Sequence, residues 1–327
     1  MKREAIVRDN LYVPAKRPRV NASNGLKWRR VMDRVAEKLI LFFALIAISI
    51  IFLIFVYIAR EAFPLITQSP EGISLSSPFT APFVWQPVSG VPKYNVVPLI
   101  LGTFKVTLIA MLIATPLALL AALYTAEFAP PSLREWIKPT IELLAGIPSV
   151  VIGFFVLIVI ASWVQSVFGF EFRLNAVTAG IGLSLAIIPV IYTITEDALT
   201  AVPNHYREAS LALGASKAQT AMRVILPAAS PGIGAAMILG FGRAIGETMI
   251  VLMVSGNAAM LTLDPAVPVR TLAATIAAEL GEVVFGSGHY RILFFLGTLL
   301  FLITSALNWA GDRVNRRLRS RLFGSPA

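Results

Sequence analysis

The sequence predicts an all-α polytopic membrane protein with about six transmembrane helices, and three observations carry that prediction. Of the 327 residues, 57% are hydrophobic and only 14% charged, with a mean hydropathy of +0.76, outside the range of a soluble domain with a charged surface. Six apolar runs reach about the 20 residues a helix needs to cross a hydrocarbon core. Of the 28 Lys and Arg residues, all but Lys105 and Arg243 then fall outside those runs, with a strong bias to one side.

Residues 1–38 form a basic tail, expected to lie in the cytoplasm and to be drawn to anionic inner-leaflet lipids. The first apolar run, Leu39–Ala59, is too long for the core of a cleavable signal peptide and reads as an anchor. The spanning region is expected over 39–310, with further runs at Val96–Thr125, Leu143–Gln165, Leu174–Thr195, Val224–Ala259 and Ile292–Ala310. Pro189 reads as a simple kink in the fourth. The fifth is too long for one straight span and carries Arg243 and Glu247, so a break is expected in it, or a helix that continues toward the outer face. A second basic tail follows at 311–327.

With the N-terminus inside, the cytoplasmic side holds the basic residues of both tails together with Arg134, Lys138, Arg207, Lys217 and Arg223, 21 in all. The outer side holds 5, namely Arg60, Lys93, Arg173, Arg270 and Arg291. That asymmetry puts both termini inside and makes the number of spans even. The outer loop 60–95 is rich in Pro, Ser and Phe and reads as irregular, its aromatics Phe83 and Trp85 placing it near the membrane interface. In the outer segment 260–291, the helix formers from Thr271 to Glu279 predict a short helix, with a re-entrant course as one alternative.

Composition also narrows the chemistry. With 0 cysteines and 2 histidines, thiolate and histidine metal sites, disulfides and cysteine nucleophiles fall away. The net charge of +10 is not gathered into a basic stripe with interleaved aromatics, so nucleic acid is not the expected partner. No Gly-x-x-x-x-Gly-Lys-Ser/Thr occurs, so no nucleotide site is expected in this chain, and no catalytic constellation suggests an enzyme.

The most informative stretch is the cytoplasmic loop 196–223. Pro203 can start a helix, Glu208 to Leu213 favour one, and Gly214 suits the left-handed residue that ends it. A short amphipathic helix on the cytoplasmic face, able to press on a soluble partner, follows from that pattern. Glu208-Ala209-Ser210, Gly214 and Leu226-Pro227 resemble the cytoplasmic signature of importer-type ABC permeases, with Ser210 and Val224 as mild departures. The resemblance implies the importer-type permease fold and makes Glu208, Ala209, Ser210, Leu213 and Gly214 a coupling helix that docks on an ATP-binding subunit.

Two further stretches, Ala145–Gly153 and Gly242–Met249, look like the two membrane signatures of phosphate permeases, in the same order. Of the two paired types, the run from Glu247-Thr248-Met249 to Gly256-Asn257 is more similar to the PstC type. The resemblance implies phosphate as substrate, a PstA-type second permease, two ATP-binding subunits holding ATP and Mg, an extracytoplasmic phosphate-binding protein, and a bacterial inner membrane. No cofactor is implied for this chain.

Arg243 and Glu247 have a chemistry of their own. Four residues apart, they share a face if the helix continues through them, and ions at membrane depth are costly unless paired or facing a water-filled path. A guanidinium fork matches a tetrahedral oxyanion, and Glu247 can hold Arg243 or accept a hydrogen bond from a protonated phosphate oxygen. Two alternatives stay open: an ion pair that fixes helix packing, and a pair that lines the pathway without touching substrate. Gly146, Pro148 and Ser149, following Glu142 near the inner end of the third span, form either a gate or a packing kink. Lys105 reads as a side chain reaching the outer headgroups. Rival functions are an ABC permease for sulfate or molybdate, an ion-gradient-driven transporter with Glu247 as a proton site, and a membrane scaffold or phosphate sensor.

Overall fold

The computed structural model describes residues 22–67, 77–80 and 82–323. The first 21 residues of the expected N-terminal tail, residues 68–76 and 81 of the outer loop and the last four residues lie outside the described residues. The chain divides into two compact units, 1–54 and 55–327. Helix α1 (Ala22–Ala62) begins in the first, and its stretch Val31–Ala62 is long and apolar enough to cross a membrane. It starts well before Leu39 because apolar content marks only the lipid-crossing part of a helix, and charged helix formers such as Arg34, Glu37 and Lys38 extend it.

The second unit is a helical bundle with a small lid at one end. After α2 (Pro64–Thr67), strands β1 (Trp85–Gln86) and β2 (Lys93–Tyr94) pair antiparallel, with Trp85 opposite Tyr94. Helix α3 (Val97–Leu123) runs on through a π turn at Tyr124–Phe128. Helix α4 (Pro131–Ala145) precedes α5 (Ser149–Phe155), a second π turn at Val156–Ile160, and α6 (Ala161–Phe168). Then come α7 (Ala176–Thr200), α8 (Asn204–Ala212), α9 (Lys217–Thr220), a third π turn at Ala221–Ile225, and α10 (Leu226–Ala228). Helices α11 (Ser230–Ile245), α12 (Met249–Val254), α13 (Leu272–Glu279) and α14 (Gly288–Phe323) complete the order.

Spanning candidates are Val31–Ala62, Val97–Phe128, Ser149–Phe168, Ala176–Thr200 and Gly288–Arg317, and the pair Lys217–Ala228 and Ser230–Ile245, bent by 67°, makes a sixth. The third expected span, Leu143–Gln165, needs correction at its start. Pro148 cannot donate the amide that would continue α4, so α4 closes at Ala145 and the span opens afresh at Ser149. Glu142 therefore sits on a separate helix. Pro189 lies inside α7, which continues unbroken as one helix.

Helices α3 and α7 pack most intimately and form the centre of the bundle with α11 and α12. Small residues allow it: Ala110, Ala114, Ala118 and Ala122 on α3 and Ala179 and Ala186 on α7 are buried together with Leu183, Ile187 and Ile191. A second apolar cluster, including Trp85, Tyr94, Leu99, Leu272, Ile292 and Leu296, lies under the hairpin.

The strand-like segment before α13 is strapped along α3. At Gly102 an added Cβ would lie 2.2 Å from the Arg270 carbonyl oxygen and 2.6 Å from a Val269 methyl. Beside it, Thr103 Oγ1 donates to the Leu99 carbonyl at 2.7 Å and accepts from the Leu272 amide at 3.0 Å. Lys105 Nζ donates to the Asp264 carbonyl at 2.9 Å, so its ammonium serves the strap.

Candidate functional site

The bundle end carrying α8 is built for contact. Pro203 caps the start of α8 in extended conformation, and Gly214 follows its end at φ +85°, the left-handed turn that a side chain would resist. Glu208, Ala209 and Leu211 are exposed, and Leu213 is 89% exposed. Ser210 differs from them: it is buried, its hydroxyl 2.9 Å from Thr220 Oγ1, and it fastens α8 to α9 instead of presenting to a partner. Ser216 and Gln219 form a reciprocal capping box that starts α9.

Charge pairs behind α8 carry geometry that the sequence did not reveal. Arg207 donates to Glu127 Oε1 at 2.6 Å and to the Leu199 and Val202 carbonyls at 2.9 and 2.6 Å. Glu196, whose side chain is 0% exposed, accepts from both Arg134 and Lys138, and Lys138 also donates to Asp197 at 2.8 Å. The bonds to Asp197 and Glu196 hold the Lys138 ammonium well above its ordinary value. In the sequence these cations show only as an excess of charge on one side. Their partners are distant in sequence, and the one available signal was the position of Glu127 and Glu196 at the ends of apolar runs.

The two membrane signatures meet in the bundle. Helix α5 packs on α12 at Gly153, where a Cβ would lie 2.9 Å from Met253 Sδ and 3.2 Å from Ile250 Cα. Gly146, Ile147 and Pro148, the break before α5, are exposed in this chain, and Ser149 is half-buried. The second signature is also broken: α11 ends at Ile245, and Gly246, Glu247 and Thr248 form a non-helical link to α12. The break expected in the fifth run is therefore present.

That link separates Arg243 from Glu247. The expected i, i+4 pair requires continuous helix through Glu247, and the helix stops two residues short. Glu247 Oε1 accepts from the Thr248 amide at 3.1 Å instead. Arg243, on the last turn of α11, is exposed and makes no ion pair among the described residues. Gly246 and Thr248 border a cleft of ≈ 510 Å³ whose other walls include Ala273, Ile276 and Leu280 around α13 and Leu300 of α14. Along the same seam, α14 lays Asn308 against Gly242 and Asn315 against Gly234 of α11, with Gly311 receiving Ile238 between them.

At the opposite end, the expected short helix is α13, with Thr271 as its N-cap accepting from the Ala274 amide. Trp85, one of the aromatics of the outer loop, is 5% exposed. Its indole donates to Glu279 at 2.9 Å, which draws it inward, whereas Phe83 is exposed. Arg270 also donates to Glu279, and His289 Nε2 lies 2.8 Å from it.

Burial pushes the Glu279 carboxyl up, but the hydrogen bonds from His289 and Trp85 and the Arg270 charge outweigh it and leave the pKa below the ordinary value. A depressed carboxylate stabilises the fold above its unfolded pKa, and that contribution is lost as pH falls through the folded one. Protection of the β1–β2 hairpin amides, taken relative to their intrinsic exchange rate at each pH, should therefore hold from neutral pH to about pH 5 and fall below about pH 4. Glu279→Gln should remove the acid step, and a step that persists in the variant would assign it elsewhere.

Comparison with known proteins identifies the lineage. Residues 114–322 match the family described as "Binding-protein-dependent transport system inner membrane component". A Bacillus subtilis protein named "Probable ABC transporter permease protein YqgH" is 38% identical over 220 residues, covering 67% of this chain and 71% of the relative. The "Phosphate transport system permease protein PstC" of Xylella fastidiosa is 36% identical over 243 residues, covering 68% and 74%. Among solved structures, a bacterial ABC transporter involved in the import of alginate matches with a TM-score of 0.60 at 15% identity, covering 88% of this chain and 99% of that one. The inward-facing MetNI methionine ABC transporter matches with a TM-score of 0.55 at 20% identity, covering 68% and 95%. The shared fold is that of ABC importer permeases, and the chain belongs to the binding-protein-dependent transport inner membrane family as a multi-pass permease of the PstC type.

Proposed function

We propose that this chain forms half of the translocation pathway of an ATP-driven importer of inorganic phosphate in a bacterial inner membrane. The observation that carries the substrate assignment is Arg243. It is a guanidinium in an apolar helix, exposed and without an ion-pair partner among the described residues, one turn from the Gly246 that borders the ≈ 510 Å³ cleft. If Arg243 lies at membrane depth, its charge is costly unless it is paired or faces a water-filled path, and no carboxylate among the described residues pairs with it, which favours the path. Its planar donors suit a tetrahedral oxyanion, and relatives named as phosphate permeases share the lineage.

In this reading Glu247, held by its own link, stands beside the path and can accept a hydrogen bond from a protonated phosphate oxygen while repelling a fully ionised anion such as sulfate. Gly146, Pro148 and Ser149 form the gate, connected to the Glu247 link through α5 on α12. The excess of Lys and Arg puts the α8 end in the cytoplasm. There Glu208, Ala209, Leu213 and Gly214 meet an ATP-binding subunit, with Ser210 bracing the helix from behind. A PstA-type permease supplies the other half of the path, two ATP-binding subunits hold ATP and Mg, and an extracytoplasmic binding protein delivers phosphate to the α13 end. In this reading the nucleotide sites lie on the ATP-binding subunits, and no cofactor is assigned to this chain.

The test is uptake of labelled phosphate into vesicles that hold the complete complex. Uptake should require ATP, persist when the proton gradient is collapsed, and be competed by unlabelled phosphate but not by sulfate or molybdate. Competition by sulfate would reassign the substrate, and uptake that survives ATP depletion would overturn the energy source.

A further inference from the structure

Helix α8 is fastened to the bundle by two side chains three residues apart, and they lead to different places. Ser210 bonds Thr220 on α9, at the start of the bent element that becomes α11. Arg207 reaches Glu127 in the π turn that ends α3, and the same guanidinium caps two carbonyls, Leu199 and Val202, at the end of α7. The Arg207 and Glu127 side chains are only 20% and 7% exposed. Helices α3 and α7 are the two most closely packed elements of the chain.

We infer that Arg207 is a positioning residue for transport, making α8 rigid with the α3–α7 core so that a load applied to α8 moves the core as a body. The physical basis is the difference between the two fasteners. A buried bidentate guanidinium–carboxylate pair with two further carbonyl bonds resists displacement in several directions, whereas a single hydroxyl pair is a weaker, rotatable contact. Without Arg207, α8 keeps its covalent links and the Ser210 contact, and can shift on the core instead of driving it. A bare Glu127 then remains, largely buried and unpaired, which loosens the same corner. The π turn is part of the arrangement, because it projects Glu127 where the end of α3 meets α8.

The inference rests on the importer reading, and two measurements separate its failure from that of phosphate as substrate. The first is phosphate moved per ATP hydrolysed in the reconstituted complex, which should fall at least tenfold in Arg207→Gln and in Glu127→Gln. Because this chain has 0 cysteines, an Arg207→Cys/Glu127→Cys double variant, with cysteine-free partner subunits, can be bridged by a short bifunctional thiol reagent. Bridging should recover the ratio, which a variant that is merely misfolded would not do.

The second measurement needs no substrate. Spin labels at Ala212 on α8 and Leu120 on α3 should keep one distance distribution with and without ATP in the otherwise native complex, and should shift or broaden on ATP in Arg207→Gln. An ATP-dependent shift in the native background, a wild-type transport ratio in Arg207→Gln, or no recovery on bridging would each overturn the inference. If the labels behave as expected while the native complex moves no phosphate, the substrate assignment fails and the strut stands.

Discussion

Arg243→Gln should lower phosphate uptake about 100-fold or more while the complex still assembles, a loss of roughly 2.7 kcal/mol of stabilisation along the path. Glutamine keeps much of the length and some hydrogen-bonding capacity but removes the charge and the fork. Because Arg243 makes no ion pair among the described residues, its removal strands no protein carboxylate, and the fold should be little affected. Lysine at 243 should recover only part of the activity, since a point charge cannot reproduce a planar two-donor contact. Uptake in vesicles at matched protein level is the measurement. Unchanged uptake would make Arg243 a structural residue and move the anion site elsewhere on the cleft.

Gly102→Ala should give a large loss of stability for a single added methyl. The new carbon would sit 2.2 Å from the Arg270 backbone carbonyl, and backbone cannot swing away as the end of a long side chain can. The strap from Asp264 to Leu272 must then lift from α3, giving up the Thr103 contact to the Leu272 amide and the Lys105 contact to Asp264. The expected cost is about 3 kcal/mol, the upper end for overpacking, read as a lowered unfolding temperature in detergent. Gly281→Ala is the control, because nothing lies within 4 Å of its added carbon. If the two variants unfold together, the strap is not held as closely as the geometry requires.

The sequence revealed what depends on composition over a window. Apolar length located the spans, helix formers located α13, and Pro203 with Gly214 bracketed α8, because each signal is local and its physics is satisfied within a few residues. Boundaries were less legible, since α1 and α14 continue as helix through charged residues beyond the lipid-crossing part. The separation of α4 from α5 was written in Pro148, but the long apolar run outweighed it. The Arg243–Glu247 spacing suggested a shared face only on the assumption of continuous helix, and two glycines in the motif were the warning. The hidden contacts are the distant ones. Arg207 meets a partner 80 residues away and Trp85 one 194 residues away, and neither separation leaves a trace in a single sequence.

The three π turns bear on how such a chain can change length over evolution. A π turn holds one residue more than the α-helical turn it replaces, and the helix on either side keeps its phase. One residue removed from 124–128, 156–160 or 221–225 would restore regular helix without rotating the flanking faces. The same deletion in the middle of α7 would turn every following residue by about 100° and bring polar positions into the core. Among the described helices, a single-residue deletion is thus absorbed at these three joints without re-phasing the packed faces, whereas the regular stretches between them keep a fixed residue count.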